Sequence, residues 1–253
     1  MLRPEVAAAG RFLPLAAAGT RARLSFYSPR LRHPPHRHER AHVSIIVAGS
    51  LREVSAGRDE IGHASQLNLR PYESDHEVEF GPFGALILAV DLAEDEPQTT
   101  ATGWLHRDLS STQRVLLDYV LAERVACDED VSDCMHDLLA GIDAESFEGS
   151  PPLWLFRARE QLAEDPANAR IDALARIAGV HRSHFARAFQ HWFQTPPSLF
   201  RRRAMLGHAI CAIVSGQSLA LAAATAGFAD QSHLCRSMRS IIGTTPHRLL
   251  RRA

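Results

Sequence analysis

Two stretches, RIDALARIAGVHRSHFARAF at 170–189 and SLALAAATAGFADQSHLCRSM at 218–238, are variants of one pattern, and their repetition decides the architecture of the C-terminal half. Ile171 matches Leu219, Ala175 matches Ala223, Gly179 matches Gly227 and Val180 matches Phe228 at an offset of 48 residues. Beyond the turn the offset becomes 49, so that Phe185 matches Leu234, Arg187 matches Arg236 and Pro197 matches Pro246. Each copy has a small residue where two helices must approach closely and a Gly where the first helix ends. An apolar residue then enters a second helix. That order is helix-turn-helix geometry, given twice.

The second helix of each copy is the one that can lie in a major groove, with its exposed N-terminal face towards base edges and its apolar face packed home. The first such helix is predicted over about Arg182 to Trp192, with Phe185, Ala188, Phe189 and Trp192 inward. The second is predicted over Gln231 to Ile241, with Leu234, Met238 and Ile241 inward. The candidate DNA-contacting residues are therefore Arg182, Ser183 and Arg187 in the first helix and Gln231, Ser232, Arg236 and Arg239 in the second. An Arg at the shared position of Arg187 and Arg236 can pair in bidentate fashion with guanine, worth ~1–3 kcal/mol of discrimination, while flanking Arg hold phosphates. Arg201, in the run RRR at 201–203, is a candidate phosphate contact. The plainer reading of all these cations is a solvated helix face.

Charge follows the same division. Residues 155–253 hold 14 Arg against 5 Asp and Glu, a balance of +9, whereas residues 1–154 carry −10 behind an overall −1. A basic segment on an otherwise acidic chain points towards nucleic acid.

The stretches LARIAGVHRSHFARAFQHWFQTPPSLFRRRAMLGHA and AAATAGFADQSHLCRSMRSIIGTTPHRLLR together resemble the AraC/XylS family of transcriptional regulators over residues 153–253. The resemblance implies two subdomains joined by a long helix, here Pro197 to Val214, with both recognition helices in successive major grooves of double-stranded DNA. It also implies an N-terminal sensor domain, a small-molecule effector and a homodimer, with RNA polymerase as a further partner. Two positions depart from the family pattern: Gln194 stands where Gly is usual, and Met238 where Phe is usual.

The N-terminal half reads differently. Short apolar runs, VSIIVAG, SQLNLR and GALILAV, are separated by Gly, Pro, Asp and Glu between Leu24 and Leu92, the pattern of strands and turns. Helical spacing follows from Trp104 to about Arg124 and again from Val131 to Leu139, giving helices that could cover the sheet or pair two subunits. The segment FEGSPP, Phe147 to Pro152, is the natural linker. The expected fold is α+β in two domains, an N-terminal cupin-like β-barrel with flanking helices and a C-terminal all-α tandem helix-turn-helix. The divisions are 1–147 for sensing and dimerisation, 148–152 for the linker and 153–253 for DNA binding.

Within HPPHRHERAHVSIIVAG, His36, His38 and His42 lead into a predicted strand, and RPYESDH brings His76 after a Pro-marked turn. This spacing resembles the cupin metal motif, in which an HxH pair, a Glu and a later His bind a metal. His42 stands near the Glu position. Neutral imidazoles suit zinc, iron, nickel or copper, so a divalent metal is the cofactor this cluster would take. The same four histidines could instead line a pocket for an organic effector or titrate near neutral pH. Glu73, Asp75, Glu77 and Glu79 alternate around His76 as a solvated strand face would, and no nucleophile motif accompanies them.

The four cysteines form no CxxC pair, which excludes a zinc ribbon or thioredoxin-like motif. No run approaches the ~18 apolar residues of a membrane span, and Pro4, Arg11 and Pro14 interrupt the N-terminal apolar stretch. A cytoplasmic protein without membrane contact is expected. The leading reading is a non-enzymatic, effector-responsive, sequence-specific transcription regulator. The alternative is a cupin-type metalloenzyme or metal sensor using His36, His38, His42 and His76, and a third is a constitutive DNA binder whose barrel only dimerises.

Overall fold

The computed structural model describes residues 12–14, 21–72, 74–92, 103–106, 110–121, 128–139 and 150–250. Its N-terminal part is an antiparallel sheet ordered β1-β2-β7-β4-β6-β8, with β3 added to β7 and β5 to β4. The strands are β1 (Phe12–Pro14), β2 (Ala22–Tyr27), β3 (Arg32–His36), β4 (His42–Ser55), β5 (Arg58–His63), β6 (Gln66–Arg70), β7 (His76–Asp91) and β8 (Leu105–His106). The runs VSIIVAG and GALILAV form the first half of β4 and the second half of β7, the two longest strands, which pair from His42↔Asp91 to Ser55↔His76.

Register shifts between Ile46 and Ala48 and between Gly49 and Leu51 break that pairing and bend both strands. On one side of the bend β2, β4, β6 and β7 pack Leu24, Ile45, Leu67, Leu69 and Leu88. On the other, Leu31, Leu51, Val78 and Phe80 join Ile46 and Ile87, from the first side, in a separate cluster. The strand β5, RDEIGH, escapes the apolar-run reading because its two outermost residues, Arg58 and Asp59, are exposed.

Two helices follow, α1 (Ser110–Leu121) and α2 (Asp128–Leu139). The first starts later than its sequence pattern suggests, since Leu105 and His106 are taken by β8; the end of the predicted stretch lies outside the described residues. Val115 is 49% exposed. Leu116, Leu117, Val120, Val131, Met135 and Leu138 carry the packing.

The C-terminal part is helical throughout: α3 (Leu153–Glu164), α4 (Ile171–Ile177), α5 (Arg182–Phe193), α6 (Pro197–Val214), α7 (Leu219–Thr225), α8 (Gln231–Ile241) and α9 (Pro246–Leu250). Among the described residues no helix is long and apolar enough to cross a membrane. Of the linker, only Ser150 to Pro152 lies within the described residues, and Pro152 caps α3.

The long helix α6 is the piece that joins everything. Its first half packs with the first helical unit through Phe200, and its second half, Met205 to Ile213, belongs to a core that runs on into the sheet and the second unit. At the crossing, Gly207 lies directly on Gly49 of the bent strand. A Cβ on Gly207 would stand 2.7 Å from the Gly49 nitrogen, so only glycine permits this approach. Phe83 stacks on His208 beside it, at 4.2 Å between ring centroids.

Candidate DNA interface and histidine site

The helix-turn-helix units are built as their sequences dictate. In the first, Ala175 is buried against α5, and Gly179 ends α4 with φ of +67°. In the second, Ala223 is buried and Gly227 has φ of +85°. Both glycines occupy the left-handed region, which a side chain would strain. Helix α5 buries Phe185, Phe189 and Phe193, and α8 buries Leu234 and Met238 completely, so Met238 fills the place where the family usually has Phe. The caps differ between the copies. Asp230 caps α8 by accepting from the His233 amide at 2.6 Å, whereas His181 caps α5 by accepting from the Ser183 amide at 3.3 Å.

All seven candidate contact residues are exposed. Arg182 is held by Asp172 of α4, Nε to Oδ1 at 3.1 Å, and the Ser183 hydroxyl is engaged with His181 Nδ1 at 2.8 Å. Arg187 in α5 and Gln231, Ser232, Arg236 and Arg239 in α8 have no side-chain hydrogen bond or ion pair among the described residues. Arg201 is different. It is half-buried and its Nη2 donates to the Ala167 carbonyl at 3.0 Å, so part of its guanidinium is engaged within the protein.

The histidine cluster assembles from three separate elements. His36 ends β3, His38 lies in the connection to β4, and His76 opens β7, where it pairs with His36 across the sheet. One ring nitrogen from each lies within 4.8 Å of those of the other two. His76 Nε2 stands 2.9 Å from His36 Nε2 and 3.2 Å from His38 Nε2. His42 is buried at the start of β4 with its ring 4.4 Å from that of His38, next to the converging trio but outside it.

The protons in this cluster can be assigned from their acceptors. His36 Nδ1 lies 2.8 Å from the Pro34 carbonyl oxygen, which only accepts, so that nitrogen carries the proton and Nε2 of the neutral ring bears a lone pair. His76 Nδ1 faces the Glu53 carboxylate at 3.0 Å, a close contact without hydrogen-bond alignment. A carboxylate only accepts, so it favours the tautomer with the proton on Nδ1, the one that leaves Nε2 free to ligate a metal. The two Nε2 atoms stand at hydrogen-bond distance, 2.9 Å, with the donor set by the tautomer. A charged imidazole is disfavoured there: burial, followed by neighbouring positive charge, drives His38 down to about 2 and His76 well below the ordinary imidazole range. Burial likewise lowers His42 to about 4. The donor set fits a divalent metal held by His36, His38 and His76.

A family model described as a helix-turn-helix domain matches residues 174–252. This is an AraC-type helix-turn-helix domain. No curated protein matches the chain. Among solved structures, ToxT from Vibrio cholerae aligns at 10% identity over 91% of this chain and 97% of its own, with a TM-score of 0.38. The C-terminal domain of AraT, a response regulator from Geobacillus stearothermophilus, aligns at 13% identity over 42% of this chain and 89% of its own, with a TM-score of 0.39. An RmlC-like cupin from Shewanella frigidimarina aligns at 22% identity over 29% of this chain and 67% of its own, with a TM-score of 0.26.

The AraC-type domain contains both repeats from Leu174 onward, including every one of the seven candidate contact residues. Its presence does not favour the metalloenzyme alternative. Sequence reading missed Glu53, Asn68 and Arg70, three polar residues that lie buried together beside His76. The available signal was strand parity: Glu53 follows the buried Leu51 by two residues, with exposed Arg52 between them.

Proposed function

We propose that this chain is a cytoplasmic, sequence-specific transcription regulator rather than an enzyme, reading two successive major grooves with α5 and α8 and responding to a divalent metal in a cupin-like sensor domain. The observation that carries the reading is the repetition of an exposed arginine, Arg187 and Arg236, without a side-chain partner among the described residues, at one equivalent place on two helix-turn-helix units. These arginines read bases. Arg182, Ser183, Gln231, Ser232 and Arg239 surround them to hold phosphates or neighbouring bases. Residues 1–147 sense and dimerise, 148–152 link, and 153–253 bind DNA. RNA polymerase is the partner through which promoter binding becomes output.

Metal responsiveness is supported by the converging imidazoles of His36, His38 and His76, with His42 buried alongside. The metal regulates by binding more tightly to one arrangement of sensor, α6 and DNA-binding units than to another. Selection of genomic fragments by the purified chain, with added Zn²⁺ and with chelator, tests the proposal. A motif with two elements about one helical turn apart, bound more or less tightly when Zn²⁺ is present, is expected. Failure to enrich any motif in either condition contradicts the regulator. Equal enrichment and affinity in both reduces the N-terminal domain to a dimerising scaffold.

A further inference from the structure

We propose that Glu53 is the positioning residue of the histidine metal site, itself held in place by Asn68 and Arg70; this rests on the metal reading above. Glu53 is 4% exposed, and the two residues that grip it are 2% and 3% exposed. Its Oε2 accepts from Asn68 Nδ2 at 2.9 Å, and its Oε1 contacts both Arg70 Nη2 and His76 Nδ1. A carboxylate fixed at both oxygens cannot turn away from the imidazole. Facing Nδ1, it selects the His76 tautomer whose Nε2 lone pair points at His36 and His38. Carboxylates in this relation to a ligating histidine orient the ring and raise its basicity, and their loss commonly costs 10–100-fold in metal affinity.

The three strands that bring these groups together make the arrangement local. Glu53 pairs with Val78 two residues along β7 from His76, and Arg70 pairs with His42 across β6 and β4. The guanidinium adds a charge that opposes a metal dication nearby, and Glu53 offsets it. Two jobs are therefore combined in one carboxylate, neutralising Arg70 and orienting His76, and a pair of variants separates them.

Co²⁺ titration of the purified chain, read by its visible ligand-field bands and by competition with a chelating dye, is the test. Glu53→Gln is expected to bind Co²⁺ 10–100-fold more weakly and with altered bands. It also leaves Arg70 buried without a counter-charge, so the double variant Glu53→Gln/Arg70→Met removes both charges. The double variant is expected to keep the weakened affinity and altered bands while its far-ultraviolet circular dichroism matches the wild type. Wild-type affinity and bands in the double variant would overturn the proposal, reducing Glu53 to a counter-ion for Arg70. A wild-type chain that shows no Co²⁺ bands fails earlier, at the metal reading itself.

Discussion

Arg187 and Arg236 lie on open helix faces, while Arg201, opening a run of three arginines, turns back to the carbonyl of Ala167 in the connection between α3 and α4. Composition cannot separate these cases, because all three sit in a basic helical segment. The backbone distinguishes them. The Arg201 guanidinium meets the Ala167 carbonyl of the α3–α4 connection. Arg201→Ala leaves that carbonyl without its charged partner and is expected to lower stability by about 1–3 kcal/mol. The slope of DNA affinity against salt should stay unchanged, because no phosphate contact is removed. Urea unfolding together with a salt titration of DNA binding checks both halves; a shallower salt slope at unchanged stability would make Arg201 a phosphate contact. Glu53 fails in the opposite direction: a charged residue in LREVSAG reads as surface, although its parity with Leu51 puts it on the buried side, next to Arg70 and His76.

Among the elements, those with a regular period were the ones legible in sequence. The predicted bounds of α6 and α8 coincide with the observed ones, and α5 runs one residue further, to Phe193. Their apolar stripes and glycine stops leave little freedom. The sheet was legible as apolar runs, but its pairing was not, because the ladder between β4 and β7 is set by two bulges that leave no periodic trace. Nor does the pattern show that α6, read as the joint between two DNA-reading units, also docks on the sheet. That docking has a specific requirement. Gly207→Ala puts a methyl group 2.7 Å from backbone at Gly49, where nothing flexible can yield, and is expected to cost about 1–3 kcal/mol through forced separation of α6 from β4. Thermal or urea unfolding of the variant measures this, and wild-type stability would show that the contact is looser than described.

At the scale of the whole molecule the packing does not follow the two halves of the chain. The first helix-turn-helix unit has a core of its own, built on Leu155, Leu162, Phe185, Phe189 and Phe200. The second shares a continuous core with α1, α2 and the sheet, from Leu24 and Leu88 to Leu234 and Met238. Polar ties follow the same line, with Arg114 and Gln113 of α1 donating to the Ser240 and Ile242 carbonyls at 2.7 and 3.3 Å, at the end of α8. The histidine site and the second reading helix thus belong to one packed body, while the first reading helix is joined to it through α6. Each unit still presents its own arginine to solvent, with no side-chain partner among the described residues, which leaves the two free to read different bases.

The decisive measurement is the base-preference profile of the wild type, Arg187→Ala and Arg236→Ala on a library randomised around the selected motif. Each variant is predicted to lose about 1–3 kcal/mol of discrimination within one element of the motif, a different element for each, while preference in the other element persists. Uniform weakening across all positions, matched on random DNA, would contradict the account by showing that both arginines only hold phosphates.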